Sequence, residues 1–204
     1  MKKKRIKKYI IILIALIFSF SARAQQEAKN RLIVITDIGN ETDDLQSMVR
    51  LLLYSNQIDI EGIIASTSIH QKSNVYPEII KKAFEAYAKV RPNLLKHESG
   101  FPTSSYFLSR LKTGLPIYGM DGVGKGKDSE GSEWIIEMLE KEDDIPLWIS
   151  VWGGPNTLAQ ALWKLKETRS ENRFFELLFA RFLLPIIFHG NYNYLIFIEN
   201  IIHG

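Results

Sequence analysis

The chain has 204 residues, no cysteine, 46% hydrophobic and 24% charged residues, and a formal net charge of +3. Without cysteine there is no disulfide framework, no thiolate nucleophile and no zinc–thiolate site, so the fold must be held by its core. The positive charge is local: the first 24 residues hold seven of the 26 basic residues and no acidic one, which leaves 19 against 23, a charge of −4, in the remainder. A mildly acidic body lacks the basic face needed to neutralise phosphates, which excludes nucleic acid as a partner.

In chain order, Lys2, Lys3, Lys4, Arg5, Lys7 and Lys8 form a cationic start, Ile10 to Phe20 an apolar stretch, and Ala22-Arg23-Ala24 carries the small residues of a cleavage site. Residues 1–24 are therefore expected to be a signal peptide of a periplasmic or secreted protein. The apolar stretch is short of the roughly 20 residues of a membrane span, so no stable anchor is expected after cleavage. Residues 25–169 then alternate strand and helix patterns and read as one α/β domain, with an open, mainly parallel, Rossmann-like sheet and helices on both faces.

The first strand is Arg31-Leu32-Ile33-Val34-Ile35-Thr36, short and β-branched as a buried parallel strand is. A helical pattern starts at Asp43, with Leu45, Met48, Val49, Leu52 and Leu53 on one face. Residues 57–66 read as the second strand. Residues 74–90 follow as a helix, with Ser73 or Asn74 as cap, Pro77 in its first turn and Arg91-Pro92-Asn93 as its stop. A short helix over 101–112, a glycine-rich loop over 114–127, a helix over 129–140, a third strand over 145–152 and a helix opened by Gly153-Gly154-Pro155-Asn156-Thr157 complete the pattern. From residue 170 the composition changes to an apolar tail with no clear period. It reads as the product of a shifted or truncated reading frame that leaves the sheet incomplete at its C-terminus, or alternatively as an apolar helix packing on the core.

Chemistry concentrates where the first strand meets the first helix. Asp37, Glu41, Asp43 and Asp44 place four carboxylates in one turn, and the C-terminal ends of parallel strands are where open α/β sheets bind ligands. Acids this close raise one another's pKa unless a cation holds them ionised, and an oxygen-only set favours Ca²⁺ or Mg²⁺ over zinc. Asp43 and Asp44 could also serve simply as helix N-terminal acids, but Asp37 at the strand end, with Gly39 behind it, favours a metal cluster.

Thr36-Asp37-Ile38-Gly39 followed by Asp43-Asp44 resembles the strand-end signature of the nucleoside hydrolase superfamily, with Ile35 and Ile38 in place of its first aspartate and its proline and a spacer two residues longer. This form is similar to the exported nucleoside-hydrolase-like branch described as cellulose-binding proteins. Tyr118-Gly119-Met120-Asp121-Gly122-Val123-Gly124 resembles the family's His-Gly-x-Asp-Gly-x-Gly loop, and Trp152-Gly153-Gly154-Pro155-Asn156-Thr157-Leu158 its Gly-Pro-Leu-Thr-Asn turn.

The resemblance implies hydrolysis of N-glycosyl or related bonds by a Ca²⁺-bound water. Asp37 would be calcium ligand and base and Asp44 a bidentate ligand, while a backbone carbonyl of Trp152-Gly153 would complete that side of the site. Asp43 would bind a sugar hydroxyl. Asn40 and Glu41 on the same turn, and the strand-end aromatic Trp152, complete the expected substrate-binding set. The family's last calcium aspartate and leaving-group acid have no counterpart after Glu167, so weak or absent catalysis is expected of this chain alone. The alternative function is a non-catalytic carbohydrate-binding protein on a degenerate enzyme fold. The expected partner is accordingly a small sugar or nucleoside, or a polysaccharide; the oligomeric state is open. Gly119 to Gly126 nearly fits P-loop spacing, but Gly126 stands where Ser or Thr is required, so it reads instead as a mobile loop over the pocket.

Overall fold

The computed structural model describes residues 28–180 and 182–183; the expected signal peptide and most of the tail lie outside them. Five parallel strands form one sheet in the order β3-β2-β1-β4-β5. They are β1 (Asn30–Thr36), β2 (Ile58–Ala65), β3 (Leu111–Thr113), β4 (Leu147–Val151) and the two-residue β5 (Phe182–Leu183). The helices are α1 (Thr42–Leu53), α2 (Pro77–Leu94), α3 (Ser104–Arg110), α4 (Glu130–Glu140), α5 (Asn156–Thr168) and α6 (Glu171–Ala180). This is the open parallel α/β architecture expected.

β1 is central in the sheet, which carries a hydrophobic core on each face. Ile33 and Ile35, with Leu147, Ile149 and Val151 of β4, pack under α4, α5 and α6. On the other face Ile60, Ile63 and Ala65 of β2 meet Met48 and Leu52 of α1, Ile80 and Phe84 of α2, and Phe107 of α3. Helices on both faces follow from right-handed crossovers that run in opposite directions from β1. Among the described residues no helix is long and apolar enough to cross a membrane.

Three details differ from the sequence expectation. Only Met48 and Leu52 of the α1 stripe are buried; Leu45, Val49 and Leu53 are 41%, 46% and 42% exposed, because α1 meets the sheet with a narrower face than its composition offers. The second helix begins at Pro77, without a side-chain cap, and runs through Pro92 to Leu94. Proline there removes a bond only to the carbonyl of Ala88, which is exposed and can be hydrated, and the Arg91 guanidinium ties the turn to the Phe101 and Pro102 carbonyls at 2.8–3.0 Å. Leu111 and Lys112, expected to end a helix, form β3 with Thr113 instead, because Leu111, Lys112 and Thr113 fall in register with Ile63, Ile64 and Ala65.

Beyond Arg169, where the composition changes, the chain continues as α6, which buries Phe174, Leu177 and Leu178 in the core shared with α5. β5 then pairs with β4 through Leu147 and Trp148. At the N-terminal edge of the sheet, Arg31 forms a 2.7 Å ion pair with Glu61, both buried, and donates to the Met138 carbonyl at 2.8 Å and the Ile145 carbonyl at 3.1 Å. Charge buried this deeply persists only because each polar atom is matched, and the network locks β1, β2 and the end of α4 together.

Candidate metal and sugar site

The turn after β1 is built by backbone rules before any carboxylate is considered. The Asn40 N–H donates to the Asp37 carbonyl at 3.3 Å, and Gly39 takes φ +110°, a left-handed geometry that favours glycine. A Cβ there would also meet the Tyr76 ring at 2.8 Å and Ile79 at 2.9 Å, so the turn is pressed against the start of α2. The Ile38 N–H donates to Thr36 Oγ1 at 3.1 Å, and the same hydroxyl donates to Asp44 Oδ2. Thr36 thus links the end of β1 to the first turn of α1.

Asp37 is 9% exposed at the strand end, and its carboxyl lies within hydrogen-bonding reach of Asp44. Burial pushes the Asp44 carboxyl up from 3.8 to about 6; the charge of Asp37, a hydrogen bond to Asp37 and the charge of Asp43 add to the rise, and the Thr36 hydroxyl opposes it. Gly153 closes the other side: a Cβ on it would lie 2.8 Å from Asp37 Oδ1 and 2.8 Å from Asp37 Cβ. Its neighbour Trp152 donates its backbone N–H to the Ile35 carbonyl at 2.8 Å, so the end of β4 is laid directly beside the end of β1.

The fold therefore gathers Asp37, Asp44 and the Gly153 backbone. Asp43 is exposed at the helix start and accepts the Asp44 N–H at 3.0 Å. Asn40 and Glu41 stay on the exposed turn; Glu41 is the N-cap residue but makes no side-chain cap bond. Trp152 donates its ring N–H to Ser150 Oγ at 3.0 Å, and the residue lines an apolar groove of about 340 Å³ with Leu32, Val34, Ile58 and Trp148 on one face of the sheet. His70 is exposed behind β2.

A buried polar layer behind the carboxylates was not anticipated. Ser66 Oγ and Thr157 Oγ1 are 3.1 Å apart, Thr67 Oγ1 donates to Asn156 Oδ1 at 3.1 Å, and the Gly154 N–H donates to the Thr67 carbonyl at 2.7 Å. The signal was present as Ser66-Thr67-Ser68 directly after a strand, since small hydroxyl residues there can satisfy backbone groups where the chains diverge. The glycine-rich loop, expected to be mobile, is tied to the body: Gln160 bonds both backbone groups of Gly124, and Asn156 Nδ2 donates to the Ile117 carbonyl at 3.0 Å.

A hard divalent cation fits what is present, in part. Two carboxylates in contact, one with its proton affinity raised by burial and by the other, form an electrostatic conflict that a cation would relieve, and the donors are all oxygen. Ca²⁺ takes six to eight oxygens, so sugar hydroxyls, water or further backbone oxygens would have to contribute. Among the described residues there is no group of three or more His, Cys, Asp or Glu that could hold a metal.

Residues 31–189 match the family described as the nucleoside hydrolase-like domain of cellulose-binding Sde182. A solved structure, described as a nucleoside hydrolase-related hypothetical protein from Saccharophagus degradans associated with carbohydrate metabolism, is 42% identical with a TM-score of 0.73. The similarity covers 75% of this chain and 37% of that one, so the chain spans well under half the length of that protein. No curated protein matches the chain.

Proposed function

The chain belongs to the nucleoside hydrolase-like domain family of cellulose-binding Sde182, and on that premise we propose that it binds a saccharide through a calcium ion held by Asp37 and Asp44. The carrying observation is the contact between these two carboxyls at the C-terminal rim of a parallel sheet, where burial and mutual charge raise Asp44 to about 6. In this reading Asp37 and Asp44 hold the ion, and the backbone of Gly153, pressed against Asp37, would lend a carbonyl. A bound calcium ion would neutralise the pair, accept sugar hydroxyls as ligands and acidify a coordinated water. Asp43, exposed on the first turn of α1, is available to a hydroxyl at the rim, with Asn40 and Glu41 beside it. The signal peptide read at residues 1–24 accords with a periplasmic or secreted protein acting on polysaccharide or its fragments.

Hydrolysis of an N-glycosyl or related bond is the second reading, and the position of Asp37 favours it. A nearly buried carboxylate at a strand end, backed by Gly153, is placed to take a proton from water at the same site. A leaving-group acid would still be required. Binding is therefore the function this set of residues supports best.

Titration calorimetry with calcium chloride tests it. Calcium uptake by the wild-type chain, lost in Asp37→Ala and Asp44→Asn, with cellohexaose binding dependent on calcium, supports the proposal. No calcium uptake by a folded wild-type chain refutes it. Cleavage of p-nitrophenyl riboside that disappears in Asp37→Ala would raise the second reading above the first.

A further inference from the structure

The loop between β3 and α4 contains Gly119, Gly124 and Gly126 with φ of +75°, +122° and +79°, and a Cβ on any of the three would meet no atom within 4 Å. Its outer half thus stands clear of the body. Within it, Val123 N–H donates to the Met120 carbonyl at 3.0 Å and Lys127 N–H to the Gly124 carbonyl at 3.1 Å, which shape the loop without attaching it.

Attachment comes from α5. Gln160 is 1% exposed; its Oε1 accepts the Gly124 N–H at 2.7 Å, and its Nε2 donates to the Gly124 carbonyl at 3.1 Å and to Asp128 Oδ1 at 2.8 Å. One turn earlier on the same helix, Asn156 holds the Ile117 carbonyl. These amides grip the loop at both ends, and α5 itself begins immediately after the Gly153-Gly154 turn that backs Asp37. The loop's own start reaches the same place, since the Tyr118 ring is 3.1 Å from where a Cβ on Gly154 would stand. A satisfied buried glutamine would ordinarily be read as packing alone. Here every bond it makes goes to one loop, and that loop abuts the strand end carrying the candidate site.

We propose that Gln160 is a positioning residue: its amide holds the Gly119–Gly126 loop in place as a wall of the saccharide site, so that sugar affinity depends on it while cation affinity does not. The inference rests on the reading of Asp37 and Asp44 as a cation-dependent sugar site. A loop ordered beforehand presents its backbone polar groups and the Tyr118 ring without an ordering cost on binding, and releasing it restores that cost. The cation ligands are untouched, because they belong to β1, α1 and the Gly153 turn.

The test compares the wild-type chain with Gln160→Leu, which removes both bonds to Gly124, and Gly124→Ala, which strains the same junction from the loop side without altering the helix. Amide hydrogen exchange at residues 118–127 should speed up by about tenfold or more in both variants, with α4 and α5 unchanged. Cellohexaose affinity in the presence of calcium should fall about tenfold, and calcium affinity should stay within about twofold of wild type. Unchanged loop exchange would overturn the clamp. Wild-type sugar affinity with a loosened loop would overturn the wall, and loss of calcium binding in either variant would overturn the separation of the two functions. A wild-type chain that binds neither calcium nor cellohexaose would remove the underlying site reading, an outcome distinguishable from all three.

Discussion

Asp44 illustrates how one residue is decided by its surroundings. In sequence it is a helix first-turn acid, a position the macrodipole favours in the ionised form. In the fold, burial and Asp37 reverse that preference and raise it from 3.8 to about 6. The native state then holds the Asp44 proton more tightly than the unfolded chain, so this group's contribution to stability is fully present below about pH 4 and is lost as pH rises through about 6. Thermal unfolding with a chelator present should accordingly show a fall in Tm over that interval, absent in Asp44→Asn. Calcium should act in the opposite sense, because it needs the ionised form: its apparent affinity, measured by calorimetry, should rise from pH 5 to about pH 6.5 and then level off.

At the scale of elements, the strands are specified by β-branched runs and the helices by apolar periodicity, but the junctions are specified by single polar residues. The Arg31–Glu61 pair fixes β1 against β2 at the edge opposite the site, with Lys141 bonded to Glu61 at 2.5 Å from the end of α4. Glu61→Ala would leave the Arg31 guanidinium buried with only carbonyl partners and Asp143 at 3.5 Å, at a cost of about 3 kcal/mol. Urea unfolding should register that loss as a lower midpoint at unchanged slope. β3 shows the converse, an element with too little sequence to announce itself. Three residues carry no readable period, and Leu111 to Thr113 become a strand only because the edge of β2 offers them unpaired backbone groups. α1 shows a third case. Its five apolar residues predict a broad buried face, whereas the sheet covers only part of it and Val49 and Leu53 remain along a groove of about 360 Å³ shared with α2.

Across the described residues, two cores on either side of one sheet carry the stability, and the one beneath α4 and α5 is sealed by α6. Phe174 contacts the core through which α4, α5 and β4 communicate, and Phe174→Ala should cost about 3 kcal/mol, read as a shift in the urea midpoint for the entire domain. A helix merely appended to the surface would show a loss well below that. The face of β1 and β4 lined by Leu32, Val34, Trp148 and Trp152 carries apolar surface into the groove beside Trp152. Trp152 is thereby seated between two roles, as sheet-face packing and as the strand-end aromatic nearest the site, and its sequence position alone could not choose between them.

Length, periodicity and the acid-rich turn sufficed to specify an open parallel α/β sheet and to single out the turn after its first strand, with Asp37 and Asp44, as the candidate site. These are local properties: β-branched runs favour buried strands, the helical period follows from 3.6 residues per turn, and a carboxylate at a strand end lies where open sheets bind ligands. What only tertiary structure decided depends on residues far apart in sequence coming together. Gly153 closes against Asp37, Gln160 grips Gly124 across 36 residues, and the buried layer of Ser66, Thr67, Asn156 and Thr157 joins the segment after β2 to the start of α5. No periodicity encodes such pairings, because a polar side chain states only that it requires a partner, and the fold determines which one is within reach.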